Sequence, residues 1–150
     1  MLLDAVLQLA WSSFDTNVSA QCEGLPELDC HKGCATCCTL RVTATAPEVF
    51  MLARFIKAVA PGLARHGVNL RDQVALANTV TCGHSEGERV GLRERCPFIA
   101  KGTCVIYQVR PLACRGLASY DRKACAQAAS GKIDEIPYSE PHMRVRSLVQ

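Results

Sequence analysis

Cysteine carries the most evident chemistry in this 150-residue sequence, because seven of its ten cysteines fall in two short blocks. The first block, DCHKGCATCC, contains Cys30, Cys34, Cys37 and Cys38. The second block, CPFIAKGTCVIYQVRPLACR, contains Cys96, Cys104 and Cys114. Two thiolates separated by two residues, as in Cys34-Ala-Thr-Cys37, can chelate one ion because the intervening turn brings both sulfurs to the same side. The two blocks therefore predict a metal site with these seven cysteines as its ligands.

The adjacent pair Cys37–Cys38 bears on how many metals are bound. Adjacent side chains diverge, which disfavours the binding of one tetrahedral ion by both sulfurs. Either they face two neighbouring metals or only one of them is a ligand. The thiolates exceed the four that one tetrahedral zinc takes, and they would suit a binuclear zinc site or an iron–sulfur cluster with spare cysteines nearby. Sulfur ligands select zinc, iron or cuprous copper over magnesium or calcium, and an iron–sulfur cluster is one form that bound iron could take.

The remaining cysteines, Cys22, Cys82 and Cys125, each stand alone in the sequence. A lone cysteine is most often a small buried hydrophobe. Cys125 follows the second block closely, so it is the best placed of the three to join the site. Disulfides are the least favoured use of the cysteines, since the chain lacks a secretory pattern and has a vicinal pair.

The histidines are weaker candidates than the cysteines. His31 lies inside the first block, but its turn-like context favours a solvent-facing side chain. Cys82 and His84 stand two apart in the polar segment TCGHSEGE. They form either a ligand pair, a nucleophile with its base, or a coincidence of loop composition, and the last is favoured. We expect His66 and His142 at the surface.

Two arginines flank the second block. Arg110 and Arg115 either offset the negative charge of several thiolates, as groups around metal ligands do, or make structural contacts to a carboxylate or carbonyl. Tyr107 is expected to be a packed tyrosine with one satisfied hydroxyl.

At these positions the sequence resembles the YkgJ-type cysteine-cluster family. Its CxxCxxCC motif is resembled by Cys30, Cys34, Cys37 and Cys38, and its second hallmark by Cys96-Pro97-Phe98, Gly102, Cys104, Ile106-Tyr107, Arg110-Pro111 and Cys114-Arg115. The resemblance covers roughly residues 30 to 125. It implies a domain that chelates zinc or iron and leaves any reaction open. A related cysteine module accompanies a flagellin lysine methylase.

The elements that must position the two blocks are predicted to be helices. Thr45 and Glu48 form a capping box, and apolar residues then recur at helical spacing until Pro61-Gly62, which we expect to end the helix. A second helix is predicted to begin at Asn69. The second cysteine block contains Pro97, Gly102 and Pro111, and is expected to be mostly loop with short helical turns.

The predicted fold class is mainly α, a small α-rich single domain over 1–150 with cysteine-rich metal-binding loops. An N-terminal amphipathic helix is expected at 2–20, since Leu3, Val6, Leu7, Ala10 and Phe14 form an apolar stripe. The cysteine-cluster module covers about 30–125. A final helix is predicted over about 139–150, carrying Met143, Val145 and Leu148.

Composition excludes several classes of partner. The net charge of +3 and the 5% of aromatic residues are too low to indicate nucleic-acid binding. No stretch is long and apolar enough to predict a membrane span. Asp4 stands where a signal peptide carries basic residues, so the expected compartment is the cytoplasm.

Three functional hypotheses follow. The first is a metal-binding protein that chelates zinc or iron for structure, storage or delivery. The second is a redox or iron–sulfur enzyme that uses a spare cysteine next to the metal, and Cys37–Cys38 motivates it. The third is a module that docks to a partner enzyme through its apolar N-terminal helix.

Overall fold

Helices dominate the computed structural model, which describes residues 2–150 apart from the side chain of Glu86. The α-helices are α1 Leu2–Gln21, α2 Ala46–Ala64, α3 Leu70–Thr81, α4 Glu86–Leu92, α5 Leu112–Arg115, α6 Arg122–Ala129 and α7 Glu140–Val149. Strands β1 Ile99–Ala100 and β2 Thr103–Cys104 form an antiparallel hairpin, and a short 3-10 helix spans Tyr107–Val109. The predicted mainly α fold class is confirmed. None of these helices is long and apolar enough to cross a membrane.

The first and last helices build the core. On α1, the buried residues recur at helical spacing and are Leu7, Trp11, Phe14 and Val18. Of these, Trp11, Phe14 and Val18 pack with Val145 of α7, which is 1% exposed, and with Leu112 of α5. Met143 and Leu148 of α7 are exposed. The inner face of α1 therefore packs on the protein's own core, while Leu2, Val6 and Leu9 lie on its exposed side.

Helix α2 begins as the sequence predicts and ends later. The backbone N–H of Thr45 donates to the Glu48 carboxylate at 2.8 Å, which completes the predicted capping box. The prediction that Pro61-Gly62 ends the helix is wrong, because α2 continues to Ala64 with Pro61 inside it. Proline already has a helical φ. The carbonyl of Lys57 that loses its partner belongs to an exposed residue, where water can satisfy it.

Two helices were not anticipated, although both have sequence signals at their first turns. Ser85 and Glu88 form a second capping box at α4, with the Ser85 backbone N–H donating to the Glu88 carboxylate at 2.7 Å. Asp121 caps α6 by accepting from the backbone of Lys123 and Ala124. The helix predicted to begin at Asn69 is present, and the Asn69 side chain accepts from the Asp72 N–H.

The chain from 22 to 45, which contains the first cysteine block, has no helix or strand beyond turns and contains no fully buried residue. Hydrogen bonds connect it to other segments, among them the one from the Asp29 N–H to the Ser119 carbonyl.

Candidate metal site

Seven cysteines from the two blocks line one cavity of about 530 Å³. They are the predicted ligands Cys30, Cys34, Cys37, Cys38, Cys96, Cys104 and Cys114. All ten cysteines of the chain have free thiols. The lining of the cavity also includes apolar residues, among them Leu52 of α2 and Val74 of α3. The structure thus brings the two blocks together, whereas they lie far apart in the sequence.

Tight turns position the first block. The N–H of Cys34 donates to the His31 carbonyl at 3.0 Å, and the N–H of Cys38 donates to the Ala35 carbonyl at 3.2 Å. Gly33 has a φ of 98°, a conformation that favours glycine. These successive turns keep the four cysteines of the block within one short stretch of cavity wall.

The hairpin positions Cys96 and Cys104. Lys101 and Gly102 connect its strands with φ values of 49° and 79°, as a two-residue type I′ turn requires. Cys104 lies opposite Ile99 in the register. The N–H of Cys96 donates to the Cys38 carbonyl at 2.6 Å, which ties the second block directly to the first.

A buried carboxylate positions Cys114. Glu48 is 1% exposed, and its carboxylate accepts the N–H of Leu112, at the start of α5, at 2.7 Å. The same carboxylate accepts the N–H and hydroxyl of Thr45. Because Cys114 lies on α5, Glu48 links the N-terminus of α2 to one wall of the cavity.

Burial makes most of these thiols weaker acids. It raises the pKa of Cys30, Cys96 and Cys104, and that of Cys114 to about 11. Backbone N–H groups oppose the effect because they stabilise the thiolate. The N–H of Ser119 donates to the Cys30 sulfur at 3.2 Å, and those of Phe98 and Ile106 act on Cys96 and Cys104. N–H bonds to sulfur are the kind of contact that orients and tunes metal-bound ligands.

The vicinal pair is the exception. The Cys38 thiol donates to the Cys37 sulfur, and this hydrogen bond, aided by the charge of Arg110, lowers the pKa of Cys37 to about 7. The same hydrogen bond and burial raise the pKa of Cys38 far above its usual range. Within the pair, Cys37 is therefore the stronger acid and Cys38 keeps its proton.

Arg110 is a cation that acts on several of these thiols. Its charge favours the thiolate forms of Cys37, Cys104 and Cys114. The guanidinium carbon lies 3.9 Å from the centre of the Tyr107 ring. Within residues 2–150 the Arg110 Nε is buried without a hydrogen-bond partner. An anionic sulfur site beside it would satisfy that group.

Arg115 holds the turn that presents Arg110. Its Nε donates to the Arg110 carbonyl at 3.2 Å and its Nη2 to the Gln108 carbonyl at 2.9 Å. The same guanidinium lies 5.0 Å from the Trp11 ring centre and pairs with Asp15 of α1. Arg115 thus connects the core helix α1 to the cavity.

The donor set fits a thiophilic metal, since it combines several thiols with N–H groups and a cation that stabilise thiolates. Within the described chain, no three cysteine, histidine or carboxylate side chains are already arranged to hold one ion. Metal binding would therefore need the cysteine side chains to rotate inward from the cavity wall.

The other predicted candidates divide between surface and core. The exposed candidates are His31, His66, Cys82 and His84. Cys82 lies at the C-terminal end of α3, and the prediction that it is buried is wrong. Cys125 is buried at 6% exposure on α6, outside the cavity lining.

The prediction of a surface position for His142 is wrong as well. It is 8% exposed, with Nδ1 2.7 Å from the Ser139 Oγ and the ring edge-on to Phe14. The cause is the packing of α7 on α1, which local periodicity does not reveal. Burial also lowers the pKa of His142.

The fold and cavity define a small helical protein with a cysteine-lined site. The chain belongs to the CxxCxxCC family, described as a "putative zinc- or iron-chelating domain", whose model matches residues 29–131. The match spans both cysteine blocks, so the resemblance inferred from them is confirmed. No curated protein and no solved structure is significantly similar to the chain.

Proposed function

We propose that the protein binds zinc or iron through the thiolates that line its cavity. The proposed ligands are the cysteines of both blocks: Cys30, Cys34, Cys37, Cys38, Cys96, Cys104 and Cys114. The observation that carries the proposal is that all seven line one cavity, with the hydrogen bond from the Cys96 N–H to the Cys38 carbonyl joining the two blocks. The family description supports the same class of metal.

The local electrostatics support thiolate ligation. Ligands must lose their protons before they bind a metal, and a bound metal compensates the energy needed to ionise a buried thiol. The Ser119 N–H on Cys30 and the Arg110 charge near Cys37 both favour the ionised sulfur. A bound zinc or iron would place positive charge directly at the ionised sulfurs.

Metal analysis of protein purified without oxygen tests the proposal. We expect stoichiometric zinc or iron, and a loss of metal in C34S, C104S and C114S variants. Absorption from sulfide-to-iron charge transfer would identify an iron–sulfur cluster, whereas colourless protein with zinc would identify a thiolate zinc site.

The matched control is C82S, because Cys82 is exposed and lies outside the cavity lining. We expect C82S to retain the wild-type metal content. Purified wild-type protein without zinc, iron or copper, or equal metal content in all four variants, would contradict the proposal.

A further inference from the structure

One buried histidine shares the cavity with the cysteines. His142 of α7 is among the residues that line the cavity, and it is 8% exposed. It lies outside residues 29–131, which the family model covers. His31 also lines the cavity, but its side chain is exposed. Within residues 2–150, His142 is therefore the one histidine that is both buried and part of the cavity lining.

The ring of His142 is held at one of its two nitrogens. Its Nδ1 lies 2.7 Å from the Ser139 Oγ and 3.9 Å from the Cys22 Sγ. Ser139 is fully buried, and its Oγ accepts a hydrogen bond from the Tyr120 hydroxyl at 3.1 Å. The Phe14 ring packs against the imidazole at an interplanar angle of 68°. These contacts orient the ring without any bound ligand.

The second nitrogen, Nε2, has no hydrogen-bond partner in the described part of the chain, because Nδ1 makes both polar contacts of the ring. A neutral imidazole has one N–H and one nitrogen with a free lone pair. When the N–H is at Nδ1 and donates to the Ser139 Oγ, the lone pair is on Nε2. Metal-binding histidines almost always have this arrangement, in which the second nitrogen donates to a fixed acceptor that sets the tautomer and the ring orientation.

Backbone hydrogen bonds connect His142 to the Cys30 end of the cavity. The N–H of Ser119 donates to the Cys30 sulfur at 3.2 Å. The N–H of Ser139 donates to the carbonyl of Ala118, the residue before Ser119, at 2.8 Å. The backbone contact of Cys30 and the side-chain contact of His142 therefore belong to neighbouring, hydrogen-bonded segments.

We propose that His142 binds the metal of the cavity through Nε2, with Ser139 as the residue that positions its ring. This proposal rests on the proposed metal binding and adds a nitrogen ligand to the sulfur ligands. Imidazole binds both zinc and iron, and it forms a common structural zinc site together with three thiolates. Because imidazole is neutral, such a site has one negative charge fewer than a four-thiolate site and costs less to bury.

X-ray absorption spectroscopy of the purified metal-loaded protein tests this ligand directly. At the zinc or iron edge we expect outer-shell scattering from an imidazole ring beside the scattering from sulfur. The imidazole scattering should disappear in H142Q. The matched control is H31Q, which should keep it, since His31 lines the same cavity from an exposed position. Sulfur scattering alone in the wild type, or imidazole scattering that persists in folded H142Q, would overturn the proposal.

Metal affinity distinguishes the ligand from the residue that positions it. Partners of metal-bound histidines commonly contribute 10–100-fold to affinity, so we expect S139A to lose roughly that much and to keep the imidazole scattering. H142Q should lose more than S139A, whereas H31Q should bind metal as the wild type does. Competition with a chromophoric chelator measures these affinities. Wild-type affinity in H142Q would contradict the role of His142 as a ligand.

Because His142 and Ser139 are buried, circular dichroism should first show that their variants are folded. If H142Q is not folded, wild-type protein loaded with an NMR-active cadmium isotope tests the same contact. NMR should then show coupling between the cadmium and the His142 ring, and its absence would overturn the proposal. Wild-type protein without zinc, iron or copper would overturn the proposed function itself, whereas metal held by sulfur alone would overturn only the role of His142.

Discussion

At the scale of single residues, the hydrogen bond between Cys37 and Cys38 affects the pKa values of these two thiols more strongly than burial does. Cys37 and Cys38 are both partly buried, yet their pKa values move in opposite directions because one sulfur donates to the other. In the metal-free protein we expect Cys37 to react first with iodoacetamide, with a midpoint near pH 7, since the thiolate is the nucleophile. Mass-spectrometric mapping of the alkylated cysteines across pH measures this.

The matched variant is C38A, which removes the donor. The pKa of Cys37 should rise, and the midpoint of its alkylation should move toward the ordinary thiol range. In the wild-type protein, ionised Cys37 stabilises the fold above the unfolded pKa of 9.0, and that contribution is lost as pH falls through about 7. An unchanged midpoint in C38A would contradict this account.

Arg110 acts on several sulfurs at once, so its replacement should weaken metal binding without removing a ligand. We expect R110Q to lower metal affinity by roughly 10–100-fold, as loss of groups around metal ligands commonly does. R110K keeps the charge and should recover part of the affinity. Competition with a chromophoric chelator measures the constants. R54Q, which removes an exposed arginine paired with Asp4, should bind metal as the wild type does; equal losses in R54Q and R110Q would refute a local effect.

At the scale of elements, two capping boxes in different environments permit a matched comparison. Glu48 is buried and also accepts the Leu112 N–H, whereas Glu88 caps the exposed start of α4. We expect E48A to lower the free energy of unfolding by about 2–4 kcal/mol, because it leaves buried donors unsatisfied. Urea denaturation should show a much smaller loss for E88A. Comparable losses of unfolding free energy in E48A and E88A would indicate that the hydrogen bond from Glu48 to α5 does not stabilise the fold.

The hairpin turn offers a second comparison. Gly102 has a φ of 79° with open space around it, so G102A should cost about 1–2 kcal/mol through backbone strain alone. Gly87 lies within α4, also in open space but without positive φ. G87A should instead stabilise the protein by about 0.5–1 kcal/mol. Thermal unfolding should show a lower Tm for G102A and a higher Tm for G87A than for the wild type.

Capping residues in the sequence were sufficient to predict where some of the helices begin. The capping box at Thr45 and the start at Asn69 could be predicted because capping depends on residues within one turn. The end of α2 at Ala64 could not be predicted, because it depends on solvent access to a helix carbonyl. The burial of His142 could not be predicted either, because it depends on packing between helices that are distant in sequence. For the same reason, the spacing of the cysteines indicated metal ligands but not the role of Asp29 and Ser119 in bringing α6 beside Cys30.

At the scale of the whole molecule, the apolar core and the cysteine region are stabilised by different interactions. The core around Trp11, Phe14 and Val145 is well buried, whereas the chain from 22 to 45 contains no fully buried residue. Helices α1 and α7 can thus persist on hydrophobic burial, while the first cysteine block depends on a few hydrogen bonds and, under the proposed function, on its metal. Metal removal should therefore loosen the molecule unevenly.

We expect chelation of the metal to increase amide hydrogen exchange most in 30–41 and 94–106, and least in α1 and α7. Free metal at about a thousand times Kd stabilises a folded protein by about 4 kcal/mol. For a chain of this size, that corresponds to a rise in Tm of roughly 10 °C. Hydrogen-exchange mass spectrometry with and without chelator, paired with thermal unfolding, measures both effects. Uniform exchange along the whole chain after chelation would mean that the core also depends on the metal, because its burial would then be too small to keep α1 and α7 folded.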